Sequence, residues 1–529
     1  MRKLNAEIVI TTDRSMMTNH HGREFIGFLA TGPAIGIPES IWMYLCCPKP
    51  KVDEFGRPHE APYGLRKIEA ALQDAGLEAY IIDPDYLDRY VDTAKILMVG
   101  HHDFFAFGPP SSEWWLITGK EPVNRKSFFK LMNSEAVRKM KSRNVKIVVG
   151  GPAAWQWLWV PEYVDKWGID VIVEGEADEI IVDIAKKILN GEKIPRYISV
   201  GAHESPSIDK IPLIKGASVN GLVEIMRGCP RGCKFCSVTL RPLRHIPIEK
   251  IIAEIEVNKK HGVKGAVLHS EDVLLYGAKG LEINEEALIK LHDSVTKIAE
   301  SLAWAHASLA AVVYAQRKYR LISKLTDIIY SRLEQNYLGV EVGIETGSPR
   351  LAKIIMPAKA MPFKAEEWPD VVEEAFAIMH DHRIIPAATF ILGFPGEEPD
   401  DVVKTIELIE RLKKYRSLIV PMLFVPMGAL KTEEGGVTGM NITPEHAEAM
   451  RVAFWHTVYW AEDIVTNFYM KGVKYEPLKL IIKAFLWFAK RKMKDIEERI
   501  LPSFTGKELS LKASKQNVED IIRKAKCYD

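Results

Sequence analysis

Val223-Glu-Ile-Met-Arg-Gly-Cys-Pro-Arg-Gly-Cys-Lys-Phe-Cys236 begins as an apolar run of strand type and opens into a tight loop carrying Cys229, Cys233 and Cys236. The C-x3-C-x2-C spacing places three thiols on one turn. Three such thiolates can wrap one cube of iron and sulfide, yet iron–sulfur clusters normally take four cysteines. The fourth iron is then open to a small-molecule ligand. A structural zinc site would want four ligands in paired C-x2-C or Cys/His arrangements, and no second pair stands nearby. The chain has only 6 cysteines. Cys46, Cys47 and Cys527 are scattered, which argues against a secreted disulfide framework. The loop is therefore predicted to hold a [4Fe-4S] cluster in the reducing cytoplasm.

Outward from the loop, strand and helix patterns alternate. Gly265-Ala-Val-Leu-His269, Ala303-Trp-Ala-His-Ala-Ser308, Gly339-Val-Glu-Val-Gly-Ile344, Ala388-Thr-Phe-Ile-Leu392 and Ile419-Val-Pro-Met-Leu-Phe-Val425 read as five further strands, with helical spacing in Ile248–Glu256. Six strands in this rhythm predict a partial (β/α)6 barrel over 216–432, and sites in such barrels form at the carboxyl ends of the strands. Polar turns follow three of those ends: His269-Ser-Glu-Asp272, Gly343-Ile-Glu-Thr-Gly-Ser-Pro-Arg350 and Gly393-Phe-Pro-Gly-Glu-Glu398. Each has an ordinary explanation as a helix cap or a turn. Their order behind a cysteine loop makes coincidence a poor one.

Upstream, residues 1–200 carry short apolar runs at Ala6–Thr12, Ala79–Asp83, Lys95–Gly100, Val145–Gly150 and Asp170–Glu174, separated by helical patterns. They predict a doubly wound parallel sheet, flavodoxin-like or Rossmann-like. Ligands of such sheets sit outside the strand carboxyl ends, which draws attention to Gly150, Gly151 and Gly175 and to His20, His21, His101 and His102. The aromatic stretch from Phe104 to about Lys130 is long enough to suggest a functional insertion. Residues 433–529 read as a helical C-terminal domain. Within it, 478–493 mixes Leu, Ile, Phe and Trp with five basic residues, as a helix lying on a membrane surface does.

At 529 residues with 47% hydrophobic and 27% charged, the chain has room for about three domains. The formal net charge is +1, so no overall field favours nucleic acid. No stretch has the length and apolarity of a membrane span or a signal peptide.

The cysteine loop, with Phe235 just before the last cysteine, resembles that of the radical S-adenosylmethionine (SAM) superfamily. The resemblance implies that the open iron chelates SAM and that the cluster reduces it to a 5′-deoxyadenosyl radical. It further implies that Ser270, Glu271 and Asp272 hold the SAM amino group, that Glu345 and Ser348 lie at its ribose and carboxylate, and that Gly393 flanks adenine. Ala61-Pro-Tyr-Gly-Leu65, Val148-Val-Gly-Gly-Pro152 and Val173-Glu-Gly-Glu-Ala-Asp-Glu179 resemble the cobalamin-binding domain of B12-dependent members, with Gly150, Gly151 and Gly175 at the corrin. The D-x-H-x-x-G motif of His-on cobalamin proteins is absent, since Asp13 and His20 are wrongly spaced.

What the resemblance implies for function is a C-methylation or C–C bond formation on an unactivated carbon. Archaeal-type relatives of similar architecture include tetraether lipid ring synthases and methylases of methyl-coenzyme M reductase. A small-molecule or lipid-like substrate and a ferredoxin or flavodoxin reductant are the expected partners. Methylthiolation of tRNA is the alternative enzyme class, opposed by the neutral charge and the missing N-terminal cysteine trio. A non-enzymatic cluster or cobalamin sensor is opposed by the SAM-type turns. Arg227, Arg231 and Arg244 flank the loop, as charge partners of the thiolates, as a grip on SAM or as solvated charges, and Tyr276 and Tyr314 follow strand ends as hydrogen-atom donors or packing residues.

Overall fold

The computed structural model describes residues 4–22, 24–34 and 36–469, with a few positions between 479 and 509. Cys527 and half of 478–493, the segment expected to meet a membrane surface, lie outside the described residues. Among the described residues no helix is long and apolar enough to cross a membrane.

Two compact units emerge. The first combines the chain up to Val223 with Glu249–Gly265; the second combines Glu224–Ile248 with Ala266–Leu511. This differs from the three-part division drawn from sequence. Most of the helix Ile248–Lys260 groups with the N-terminal unit, and the reason is specific. Buried Glu254 accepts from Lys67 Nζ at 2.5 Å and from Tyr63 Oη at 2.6 Å, while Asn258 accepts from the Ser218 amide at 2.8 Å. The helix Pro444–Ile464, capped by Thr443 with proline at its first position, groups with the barrel.

The first unit is built on six parallel strands: β1 Ile8–Thr11, β2 Ala79–Ile81, β3 Ile96–Gly100, β4 Lys146–Gly150, β5 Val171–Glu174 and β6 Tyr197–Ser199. Their order is β2-β1-β3-β4-β5-β6, with Ile8 opposite both Ala79 and Ile96. Strands buried on both faces need apolar residues at nearly every position, and Ile8, Val9, Ile10, Ile96, Leu97 and Ile147 are fully buried. The amphipathic helix Tyr63–Asp74 lays Leu65, Ala71 and Leu72 on the sheet beside Ile181 and Ile184. A Leu72→Ala change there would cost about 2–5 kcal/mol. The order reverses between β1 and β3, which is the topological switch point of this sheet.

β7 Leu222–Glu224 begins in the first unit and ends in the second, which holds nearly all of β8 Gly265–His269 and the whole of β9 Ser301–Trp304, β10 Leu338–Glu345, β11 Ile384–Leu392 and β12 Leu418–Leu423. They form two three-stranded sheets, β9-β8-β7 and β10-β11-β12, joined by a parallel bridge between His306 and Glu341. Burial alternates along the strands. One set packs against helices, as when Trp304 Nε1 donates to His292 at 2.9 Å. The other set stays partly accessible and includes the small residues Gly339, Gly343, Ala303 and Ala387 beside larger ones such as Val267, Glu341 and Thr389. A closed eight-stranded barrel fills its interior with bulky branched side chains. Here glycine and alanine leave the lumen open.

Candidate functional site

The cysteine loop emerges at the carboxyl end of the first barrel strand and is held from several sides. Thr239 Oγ1 donates to the carbonyls of Cys233 and Cys236, at 3.2 and 3.0 Å. The Lys234 amide donates to Ile355 O at 2.9 Å, and its carbonyl accepts from the amides of Ala429 and Leu430 at 2.8 and 3.2 Å. Phe235 packs on Phe394 with ring centroids 5.3 Å apart, and Phe394 on Phe424 at 5.5 Å. The turn expected beside adenine thus buttresses the cysteine loop.

Burial pushes the Cys229 thiol up to about 12 and Cys233 to about 11, and it also raises Cys236. Arg231 opposes the shift at Cys229, and Lys359 at Cys233. Among the described residues no three His, Cys, Asp or Glu side chains gather around one point as the ligands of a single ion. A cube asks for something else, because each thiolate meets a different iron. Three semi-buried thiols on one braced loop, with two cations behind them, fit a cluster, and coordination itself would deprotonate them.

The residues expected at SAM divide into two groups. Glu271 is the partly exposed member of its turn. Asp272 is fully buried: one oxygen accepts from Arg231 Nε at 3.2 Å and Nη2 at 3.1 Å, and from Ser308 Oγ. Arg231 also donates to Lys359 O at 3.0 Å. Asp272 and Arg231 therefore tie the cysteine loop to the second-strand turn. Ser270 is 1% exposed with its hydroxyl unpartnered, while its carbonyl accepts from His306.

Glu345 sits where the β10–β11 register shifts, at φ +62°, and its carboxylate is bound by buried Lys359. A bulge re-aims a side chain in this way. Ser348 is fully buried. Its hydroxyl donates to Asp401 and accepts from the Leu351 amide, so it caps the helix Pro349–Ile355. Gly393, at φ +79°, leaves no room for a Cβ beside Met440 and Gly436, and its amide donates to Glu397 at 2.9 Å.

Tyr276 is buried and donates to Ile246 O at 2.8 Å; Tyr314 lies on the surface beside Glu282. Arg227 pairs with Glu224 at 2.8 Å, and Arg244 Nε donates to Pro242 O at 3.2 Å. Lys359 and His306 were missed by sequence reasoning. Lys359 carries no local signal, whereas His306 stood as a polar residue inside an apolar strand.

In the first unit, Asp13 and His101 converge at the switch point. His101 Nε2 lies 2.7 Å from Asp13 Oδ2, and both side chains are 0% exposed. His101 Nδ1 accepts from the Asp103 amide at 2.7 Å, which puts the ring proton on Nε2. Burial raises the Asp13 carboxyl, but His101, Ser127 and Ser15 outweigh it and hold it below the usual range. His102 stacks on His101 at 5.3 Å and reaches solvent. His20 Nδ1 donates to the Cys46 carbonyl, 2.6 Å away, and His21 is exposed.

The glycines expected at the corrin face backbone. A Cβ on Gly151, at φ +108°, would stand 2.7 Å from His101 O, and one on Gly175, at φ +105°, 2.6 Å from Val200 O. One on Gly150 would stand 3.2 Å from Val173 O. Their missing side chains serve the sheet's own packing. Much of the aromatic insertion is likewise core: Phe104, Phe105 and Phe128 are fully buried against Trp157, with the Phe105 and Trp157 rings 5.0 Å apart, while Trp114 is exposed.

Residues 223–409 match the model of the Radical SAM superfamily, so the chain carries a radical SAM domain. Over 242 residues, 42% of this chain and 51% of the relative, it is 27% identical to the tRNA-2-methylthio-N(6)-dimethylallyladenosine synthase of Magnetococcus marinus. It is 25% identical over 302 residues to the synthase of the same name from Thermotoga petrophila, covering 56% of this chain and 62% of that one. The chain thus spans between half and two thirds of the length of these relatives. Among solved structures, it is similar to the radical S-adenosylmethionine methyltransferase TsrM of Kitasatospora setae, solved with cobalamin and a [4Fe-4S] cluster bound. That likeness has a TM-score of 0.48 at 12% identity and covers 81% of this chain and 77% of that one.

Proposed function

We propose that this protein is a radical SAM enzyme that cleaves SAM reductively and functionalises an unactivated carbon of an apolar substrate, with cobalamin as a second cofactor. The observation that carries this reading is the braced three-thiol loop at the carboxyl end of an open six-stranded lumen. When bound, the cluster and SAM would supply the radical chemistry that no side chain can. Cys229, Cys233 and Cys236 would hold the cluster. Arg231 and Asp272 fix the loop against the second-strand turn and present Glu271 at the lumen. Glu345, oriented by Lys359, forms a second acidic position at the end of β10. The partly accessible Ala, Gly, Val and Met residues of the strands favour an apolar substrate body.

Cobalamin is proposed for the first unit on the strand order alone, because flat cofactors of such sheets bind at the β1/β3 switch point. His102, the accessible imidazole there, is the side chain placed to meet it. A ferredoxin-like or flavodoxin-like reductant and a lipid-like or protein-side-chain substrate remain proposals of the same rank. Methylthiolation of tRNA is the second reading, favoured by the names of the curated relatives. Against it stand the net charge of +1 and the sequence of the first unit, which carries only Cys46 and Cys47.

Anaerobic reconstitution tests the first step. The protein should hold about four irons per chain and, once reduced, convert SAM to 5′-deoxyadenosine. Hydroxocobalamin titration followed by gel filtration tests the second cofactor. Transfer of a methylthio group to tRNA with no cobalamin retained would replace the first reading with the second.

A further inference from the structure

His306 lies at the seam where the two half-sheets meet. Its neighbours bond across that seam, Glu341 N to Ala305 O at 2.9 Å and Ala307 N to Glu341 O at 3.0 Å, and its own carbonyl accepts from the Val273 amide at 2.9 Å. The ring faces two acceptors. Nδ1 lies 3.2 Å from the Ser270 carbonyl oxygen, and Nε2 lies 3.1 Å from Glu341 Oε2. A neutral imidazole has one N–H and satisfies only one acceptor; an imidazolium satisfies both. The geometry therefore asks for the charged ring.

From the arrangement we infer that His306 is a positioning residue: as a doubly donating imidazolium it clamps the Ser270–Glu271–Asp272 turn to β10 and so sets Glu271 for SAM. The SAM half of this statement rests on the function proposed above; the clamp itself does not.

The groups facing the ring come from three elements. Glu341 faces it from β10, Glu271 and the Ser270 carbonyl from the turn after β8, and His269 from the end of β8 at a centroid distance of 6.0 Å. Burial pulls the His306 ring down, but the Glu341 hydrogen bond and charge, then Glu271 and the Ser270 carbonyl, push it up to about 9. Burial and the neighbouring His306 hold His269 down at about 4, hence neutral. The side chains of His306 and Glu341 are 40% and 47% exposed, so protons reach them through the lumen. With its folded value raised above the ordinary 6.5, the clamp is complete below that value and is lost as pH rises through about 9.

The test uses the anaerobically reconstituted full-length protein with its cluster, in wild type, His306→Gln and Glu341→Gln. Hydrogen exchange of a peptide spanning 266–276, read at constant intrinsic rate, reports the clamp without SAM. Equilibrium dialysis of SAM from pH 7 to 10 reports its consequence. Wild type should protect the peptide at pH 7 and lose protection near pH 9. In Glu341→Gln that midpoint should fall by about one unit or more, since the anionic partner is gone. His306→Gln, which keeps one donor and no charge, should show faster exchange at every pH and bind SAM at least about tenfold more weakly at pH 7, a 1.4 kcal/mol effect.

Equal protection in all three proteins overturns the clamp. Equal SAM affinity at pH 7 in wild type and His306→Gln overturns the positioning role, and pH dependence that persists in His306→Gln belongs to the amine of SAM. If wild type binds no SAM while its peptide still follows His306, the proposed function fails and the clamp stands.

Discussion

Each unit carries a carboxylate–imidazole pair whose histidine follows the carboxyl end of a parallel strand, and the two pairs have opposite surroundings. Asp13–His101 is sealed, with both side chains fully buried, while His306–Glu341 opens into the lumen at 40% and 47% exposure. Around the first, glycines and aromatic rings close the sheet edge. Around the second, glycine and alanine hold the barrel open. The same chemistry therefore acts as a structural lock where packing excludes water, and as an addressable group where small side chains admit it.

The largest expected effect falls on the open side. Replacing Cys229, Cys233 and Cys236 together with alanine should abolish bound iron and visible absorption after reconstitution, with the far-ultraviolet circular dichroism retained. Unchanged iron content would remove the cluster from this loop. Next, Glu271→Ala should keep the iron and absorption of wild type yet bring 5′-deoxyadenosine formation close to background. Wild-type turnover in that variant would return Glu271 to the surface of its turn.

The sealed side should answer in stability instead. Asp13→Ala leaves the buried His101 Nε2–H without its acceptor and should cost about 1–3 kcal/mol in chemical denaturation. Glu341→Gln, whose site is wet, should cost within about 1 kcal/mol. Comparable losses at the two positions would dissolve the distinction drawn here. Gly151→Ala, which forces a Cβ towards His101 O at positive φ, should destabilise by about 1–3 kcal/mol. Any loss of cobalamin retention in that variant has to be read against its folded fraction.

The smallest effect is in pH, and its sign differs between the pairs. Asp13 is held below its ordinary 3.8, so its contribution is present above that value and is lost as pH falls further. His306 is raised to about 9, so its contribution is lost towards alkali. Limited proteolysis should show the first unit loosening first in acid, and the 266–276 region first in alkali. The reverse order would contradict both assignments.

Local patterns made much of this legible beforehand. Apolar runs at β1 to β5 and the alternation of β8 to β12 follow from which faces must be buried, and that demand is written residue by residue. The three cysteines announced their chemistry because their spacing alone places them on one turn. The short strand Tyr197–Ser199 escaped notice, being only 3 residues long and half-exposed.

Long-range partners were another matter. Asp13 has its histidine not in its own loop but 88 positions along, on the turn after β3, because β1 and β3 are adjacent only in the folded sheet. In the same way Ser348 became a helix cap braced by Asp401, Asp272 a bracket for Arg231, and Phe104, Phe105 and Phe128 of the aromatic insertion a core. The sequence by itself determined the strand pattern, the cysteine loop and the turns that follow the barrel strands, since these depend on neighbours a few residues apart. Only the tertiary structure decided which polar groups are locked and which face the lumen, because burial and hydrogen-bond partners are set by strands and helices that meet across distant stretches of chain.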